Sequence, residues 1–323
     1  MQSLKGSASL LDTFLATLSP MLVMFLCLLI GFVLCKTKSA PENAAAVMSK
    51  LELNVLLPAQ VLNTFITNCT LDSIASQYKI VLYSCVTLVL ALCIGILLSK
   101  LFSKEDYQRR IYQYGLVFAN FGFLGNAIVP QILGDEGLYA YMLFTLPINV
   151  ALYGWGINTL IPEGKSGKKS LLKSFLNPTF VALVAGIALG LLGAGKWLPE
   201  FALTTTKNLA SCMGPIAMVL TGFVIGGYNI PSLLKNKRVY LMTLLRLFVL
   251  PSILIGVLWL LGADGMTLKT ALFAFASALG LNTVVIPAAY DGDTTTGASM
   301  AMVSHICCVV TIPVLYAILL QII

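Results

Sequence analysis

Runs of about twenty predominantly apolar residues recur ten times along this chain, and that length in that number excludes most folds. They cover approximately 19–35, 48–67, 79–101, 111–133, 138–161, 175–195, 207–227, 239–262, 269–289 and 298–321. At about 1.5 Å per residue, each can cross a ~30 Å hydrocarbon layer as a helix. A water-soluble fold fails on composition. Of the 323 residues 58% are hydrophobic and 10% charged, against about 25% charged in an ordinary soluble domain. Too little polar surface is left to cover a soluble protein. The sequence predicts an all-α polytopic membrane protein.

Charge sets the expected orientation. One set of alternate loops, from Lys36 and Lys38 through Lys165 and Lys168 to Lys237 and Arg238, carries 14 of the 20 Lys and Arg residues. The other set carries five, and Arg246 lies inside a span. Basic loops stay cytoplasmic, so both termini are expected outside the cell membrane. The net charge of +7 is mostly this bias and calls for no nucleic-acid partner. The first span reads as retained rather than as a cleaved signal, because Lys36 and Lys38 follow it and no Ala-x-Ala site does.

No chemistry of an enzyme is visible. The eight cysteines are scattered through apolar spans, apart from Cys69 in a short loop and the neighbours Cys307 and Cys308; without Cys-x-x-Cys or zinc spacing, they read as small packed hydrophobes. No Walker loop, Gly-x-Ser-x-Gly or acidic metal motif occurs, so neither metal nor cofactor is expected.

The two halves of the chain match each other. Pro20 pairs with Pro178, Pro58 with Pro215, Asn126 with Asn282 and Pro130 with Pro287, at offsets of 158, 157, 156 and 157 residues. So steady an offset indicates an internal repeat of five spans. Five is odd, so the second copy enters the membrane from the opposite side and the repeat is inverted, as in many secondary transporters. The expected domains are 1–161 and 175–323, joined by a short basic cytoplasmic linker at 162–174.

Within the repeat, one interrupted stretch occurs twice. Gly122 to Asp135 and Leu279 to Asp291 each set a glycine and an asparagine ahead of a proline, with an aspartate nine residues beyond the asparagine. Asparagine is costly in hydrocarbon, and proline removes a backbone donor. Broken helices are tolerated at membrane depth only against protein or a water-filled cavity. Paired interruptions in two halves point to a transporter's binding site, which makes Pro130 and Pro287 the candidate hinges.

These residues resemble the auxin efflux carrier family of membrane transporters. The likeness rests on Asn120-Phe-Gly-Phe-Leu-Gly125 with Gly134-Asp-Glu-Gly-Leu-Tyr139, on Asn282 to Tyr290, and on Ser304 through Thr311-Ile-Pro313. It implies ten helices, with helices 1, 2, 6 and 7 as scaffold and helices 3–5 and 8–10 as a transport core. Helices 4 and 9 would break and cross there. It also implies transport of a small organic anion, auxin in plants and acids such as malate or malonate in bacteria. The short central loop resembles the bacterial branch. Where the family often has proline, this chain has Ala127 and Ala278, so the break points stay open, as does the choice between Asn120 and Asn126 as the residue facing the substrate.

Such a crossing would bring half-helix N-termini to mid-depth, where their free N–H groups suit a carboxylate. The candidate substrate contacts are Asn120, Gly125, Asn126, Gly280, Asn282 and Arg246. Arg246 lies eight residues beyond Arg238, about 12 Å deeper, and has no acidic partner in the neighbouring spans. A cavity with a bidentate carboxylate ligand would explain it. His305, the only histidine, is a candidate for proton coupling or a packed hydrogen-bonded residue. Asp12 reads as solvated, and Glu52, near Lys50 and Asn54, as part of an interfacial pair. Glycines at 186, 190, 193 and 195, and at 222, 226 and 227, permit close helix approach, either in a static scaffold inside the chain or on a homodimer face. The expected function is a secondary carrier coupled to H+ or Na+ or to neither; a receptor or channel on the same fold is the rival.

Overall fold

The computed structural model describes residues 9–164 and 177–323. Most of the expected linker, including Lys165, Lys168, Lys169 and Lys173, lies outside these residues, as does Lys5. The described residues are helical and contain no strand. In chain order the helices are α1 (Leu10–Lys36), α2 (Ala44–Asn68), α3 (Leu71–Ser99), α4 (Asp106–Val117), α5 (121–133), α6 (135–159), α7 (Pro178–Leu191) and α8 (Glu200–Gly226). They continue with α9 (Ile230–Leu234), α10 (Lys237–Leu260), α11 (Gly265–Ala276), α12 (Asn282–Ala288) and α13 (Thr295–Ile322).

Seven helical stretches are long and apolar enough to cross a membrane, and α7 and α11 are shorter apolar helices. One of the seven, Asp106–Thr159, has 54 residues, which at about 1.5 Å each far exceeds one crossing. It folds back at Gly134, whose φ of 71° suits glycine and almost no other residue.

Helices overrun the apolar runs because hydropathy marks only the part suited to hydrocarbon. Ser9 and Asp12 form a capping box that starts α1 nine residues before the expected span at 19, satisfying otherwise orphaned N–H groups. The exposed Asp12 is therefore a cap as well as solvated. Thr70 and Ser73 start α3 in the same way.

α1 packs on α8, and α2 on α7, through backbone contact. A Cβ at Gly222 would lie 1.8 Å from the Leu28 carbonyl oxygen, and one at Gly190 would lie 2.4 Å from that of Phe65. Gly186 and Gly226 likewise face Phe65 and Cys35. These four glycines serve contacts inside the chain, whereas no atom comes closer than 3.4 Å to a Cβ at Gly193, Gly195 or Gly227.

Prolines explain two wide turns. The Glu52–Leu56 turn of α2 precedes Pro58, and the Leu245–Val249 turn of α10 precedes Pro251. Proline lacks the N–H for the carbonyl four residues back and its ring crowds that carbonyl. A π-turn relieves both without a sharp kink.

Candidate functional site

Two helix interruptions meet. The backbone leaves helical geometry at Phe118–Asn120 and again at Ser277–Leu281. Asn120 N–H donates to the Ala278 carbonyl at 2.6 Å, so each break satisfies part of the other. Gly280 packs against Asn120, 3.6 Å from where its Cβ would stand to the asparagine Cα.

Pro130 and Pro287 are not the hinges. Helical backbone runs through both. Pro130 leaves the Asn126 carbonyl without its helical donor, and Gln60 Nε2 on α2 donates to it instead at 2.9 Å. With that group satisfied from outside, α5 has no reason to break there. The break falls ten residues earlier, at Asn120.

At the break, α5 presents unused donors. Asn120 O accepts from Leu124 and Gly125, while the N–H groups of Phe121, Gly122 and Phe123 take no acceptor among the described residues. Phe121, Gly122 and Asn126 line a cavity of about 330 Å³ that also touches Leu57, Thr145, Asn149 and Tyr153 and reaches Asn177 and Thr179 at the start of α7. Among the described residues its wall holds amides, a hydroxyl-bearing threonine pair, a phenol and apolar side chains, and no charged residue. A helix N-terminus with free N–H groups is a site for negative charge.

The expected site residues separate here. Asn126 is buried, lines the cavity and has its Oδ1 unpartnered. Asn120 is buried behind the break, its Nδ2 3.3 Å from His305 Nε2. His305 Nδ1 lies 2.7 Å from the Ala301 carbonyl, so it must donate there. Nε2 is then the acceptor for the Asn120 amide, and this neutral imidazole fixes Asn120 in place. Asn282 does not reach the cavity wall, since its Nδ2 donates to Tyr114 Oη of α4 at 2.9 Å. Gly125 is required by Tyr141, whose hydroxyl donates to the Phe121 carbonyl at 2.8 Å and would lie 1.8 Å from a Cβ at Gly125.

Arg246 is wholly buried, which excludes snorkelling. Nη1 donates to the Phe275 carbonyl at 2.5 Å, near the C-terminal end of α11, where cationic donors satisfy carbonyls that the helix cannot. Nε and Nη2 have no partner, and no carboxylate pairs with the guanidinium among the described residues. The carbonyl it holds lies two residues before the second break, and Arg246 is not in the cavity wall.

Sequence reasoning missed Gln60, Tyr114 and Tyr141. Gln60 carried a signal, an amide within an apolar run. The tyrosines did not, because aromatic residues are common in membrane helices. Glu52 needs correction: it is fully buried and neither carboxylate oxygen has a partner, so it is no interfacial pair. Cys69 is buried rather than open in its loop, and that burial pushes its thiol pKa up.

Apolar helices that break and meet beside a cavity are the architecture of a membrane-embedded transporter of small molecules. The chain belongs to the membrane transport protein family, that of the auxin efflux carriers, whose model matches residues 16–316. It is similar to the uncharacterized transporter YfdV of Escherichia coli (strain K12), with 25% identity over 322 residues covering 94% of this chain and 97% of the relative. The YfdV proteins of Escherichia coli O157:H7 and Shigella flexneri match to the same extent. The protein is therefore an integral membrane transporter, not an enzyme, and its partners are the bilayer and a small-molecule substrate.

Proposed function

We propose that the protein is a secondary carrier of small organic anions that works by alternating access. The observation that carries this reading is the cavity lined by Phe121 and Gly122, whose N–H groups take no acceptor among the described residues, and by the Asn126 amide. Its volume suits a small acid, at the lower end of the roughly 300–1,000 Å³ typical of ligand pockets. Donors without an accompanying cation favour a carboxylate that is bound and then released.

Ten membrane crossings follow if Asp106–Thr159 is counted as two and α7 and α11–α12 as one each. The two breaks begin at Phe118 and Ser277, 159 residues apart, close to the 156–158 that relates the prolines and asparagines, which supports an inverted repeat. α1, α2, α7 and α8 form the scaffold, and α3–α6 with α10–α13 form the moving core. Cavity-lining residues on α6 and α7 lie toward the ends that adjoin the basic linker, so this conformation faces the cytoplasm across the cell membrane.

Uptake of labelled malate, malonate and indole-3-acetate into proteoliposomes tests the function. At least one acid should show counterflow, and Asn126→Leu should abolish it in a protein that stays folded, because Gln60 holds the main-chain carbonyl of residue 126 and not its side chain. No counterflow with any acid, or full activity in the variant, removes the reading. Orientation is checked separately with an impermeant thiol reagent on intact cells. Asp135→Cys and Lys196→Cys should react, and Lys104→Cys should not; all three positions are exposed. Reaction at position 104 reverses the topology.

A further inference from the structure

Glu52 is a carboxyl group that nothing in the cavity explains. It is 0% exposed, and neither oxygen has a hydrogen-bond partner. Its neighbours along α2, Leu53, Asn54 and Val55, are exposed, so its side chain lies on the opposite, protein-facing side. That side packs against α7 and α8.

Among the described residues no positive charge answers it. On its own helix Lys50 is exposed. α7 carries no titratable residue. α8 carries Glu200, Lys207 and Cys212, all exposed and all in its first half. Its second half, 213–226, carries none. That second half is the part near Glu52, because Lys36 Nζ donates to the Tyr228 carbonyl and so places the end of α8 beside the chain that leads into α2. An ionised carboxylate without water, donor or cation is far costlier to bury than a protonated one.

We propose that Glu52 is a proton-binding site: it is protonated in this conformation and loses its proton to water admitted along α2 when the core moves against the scaffold during the transport cycle. The carboxyl O–H bond breaks, its electron pair stays on the carboxylate, and the proton passes to a water molecule. This rests on the transport reading only for the cycle, not for the protonated state. His305 is unsuited to the task, since both ring nitrogens are engaged. Glu52 is linked to the crossing by one rigid element. Gln60, eight residues or ~12 Å further along α2, is also buried and donates to the Asn126 carbonyl of α5. A change of charge at Glu52 therefore alters the helix against which the crossing is held.

Infrared spectroscopy of the reconstituted full chain tests this without a substrate. At pH 7 wild type should show the C=O stretch of a protonated carboxyl, and Glu52→Gln, a neutral isostere expected to fold, should lack it. A second arm uses proteoliposomes and labelled malate, malonate and indole-3-acetate. An inward-acid pH gradient should accelerate wild-type uptake severalfold, while the variant should run at its gradient-free rate and keep exchange. The absence of the band, its persistence in Glu52→Gln, or its replacement by a sodium-dependent carboxylate signal overturns the proposal. So does a gradient effect undiminished in the variant. Should no acid move, the transport reading falls and the spectrum alone still decides the protonation of Glu52.

Discussion

Arg246→Gln should reduce uptake of the transported acid by about 10- to 100-fold with expression and folding intact. Glutamine reaches less far than arginine but retains an N–H that can serve the Phe275 carbonyl now held by Nη1. It removes a charge that lies buried with Nε and Nη2 unpartnered and no carboxylate beside it. A hydrogen bond to a charged group contributes about 1.5–3 kcal/mol, and each 1.4 kcal/mol is about tenfold in binding. Because Arg246 stands outside the cavity wall, its action on an anion is electrostatic across the crossing unless the core rearranges and brings the fork into contact. Arg246→Lys separates the two. A lysine that restores uptake shows that charge suffices. A lysine as impaired as glutamine shows that the planar fork is needed. Uptake and affinity unchanged in Arg246→Gln would make the arginine purely a cap for α11, leaving the α5 N-terminus to hold the anion alone.

Gly125→Ala should be nearly as damaging, for a steric reason. The new methyl would stand 1.8 Å from Tyr141 Oη and 2.7 Å from its Cζ. The ring is buried and its hydroxyl is tied to the Phe121 carbonyl, so it has little room to yield. Overpacking of this kind costs about 1–3 kcal/mol, and here it displaces the turn that carries the free N–H groups. We expect lowered thermal stability in detergent and loss of counterflow. Tyr141→Phe removes the nearest atom at the expense of one hydrogen bond, about 1 kcal/mol. The double variant Gly125→Ala/Tyr141→Phe should therefore be more stable and more active than Gly125→Ala alone, a coupling that a double-mutant cycle measures. Additive losses would mean that the clash is not what makes residue 125 glycine.

The sequence by itself determined whatever depends on composition and spacing. Long apolar runs can be satisfied only by helices in a bilayer, so class and approximate spans could be read directly. A repeat was expected because prolines and asparagines recur at a steady offset in the two halves. Arg246 stood out because a charge at that depth needs a reason. What the sequence misplaced depended on partners far away in the chain. Pro130 was expected to break its helix, but a proline breaks a helix only if the carbonyl it orphans finds no other donor, and Gln60 of a different helix supplies one. Asn126 and Asn282 looked equivalent, yet Asn126 opens on a cavity and Asn282 is held by Tyr114. Glu52 looked like half of a surface pair because Lys50 is near in sequence, whereas helix packing carried it to the opposite face and buried it without any partner. Hydropathy and period are local properties of a chain. Which buried polar groups are satisfied is decided by contacts between residues 66 or 168 positions apart, and only the tertiary structure holds those.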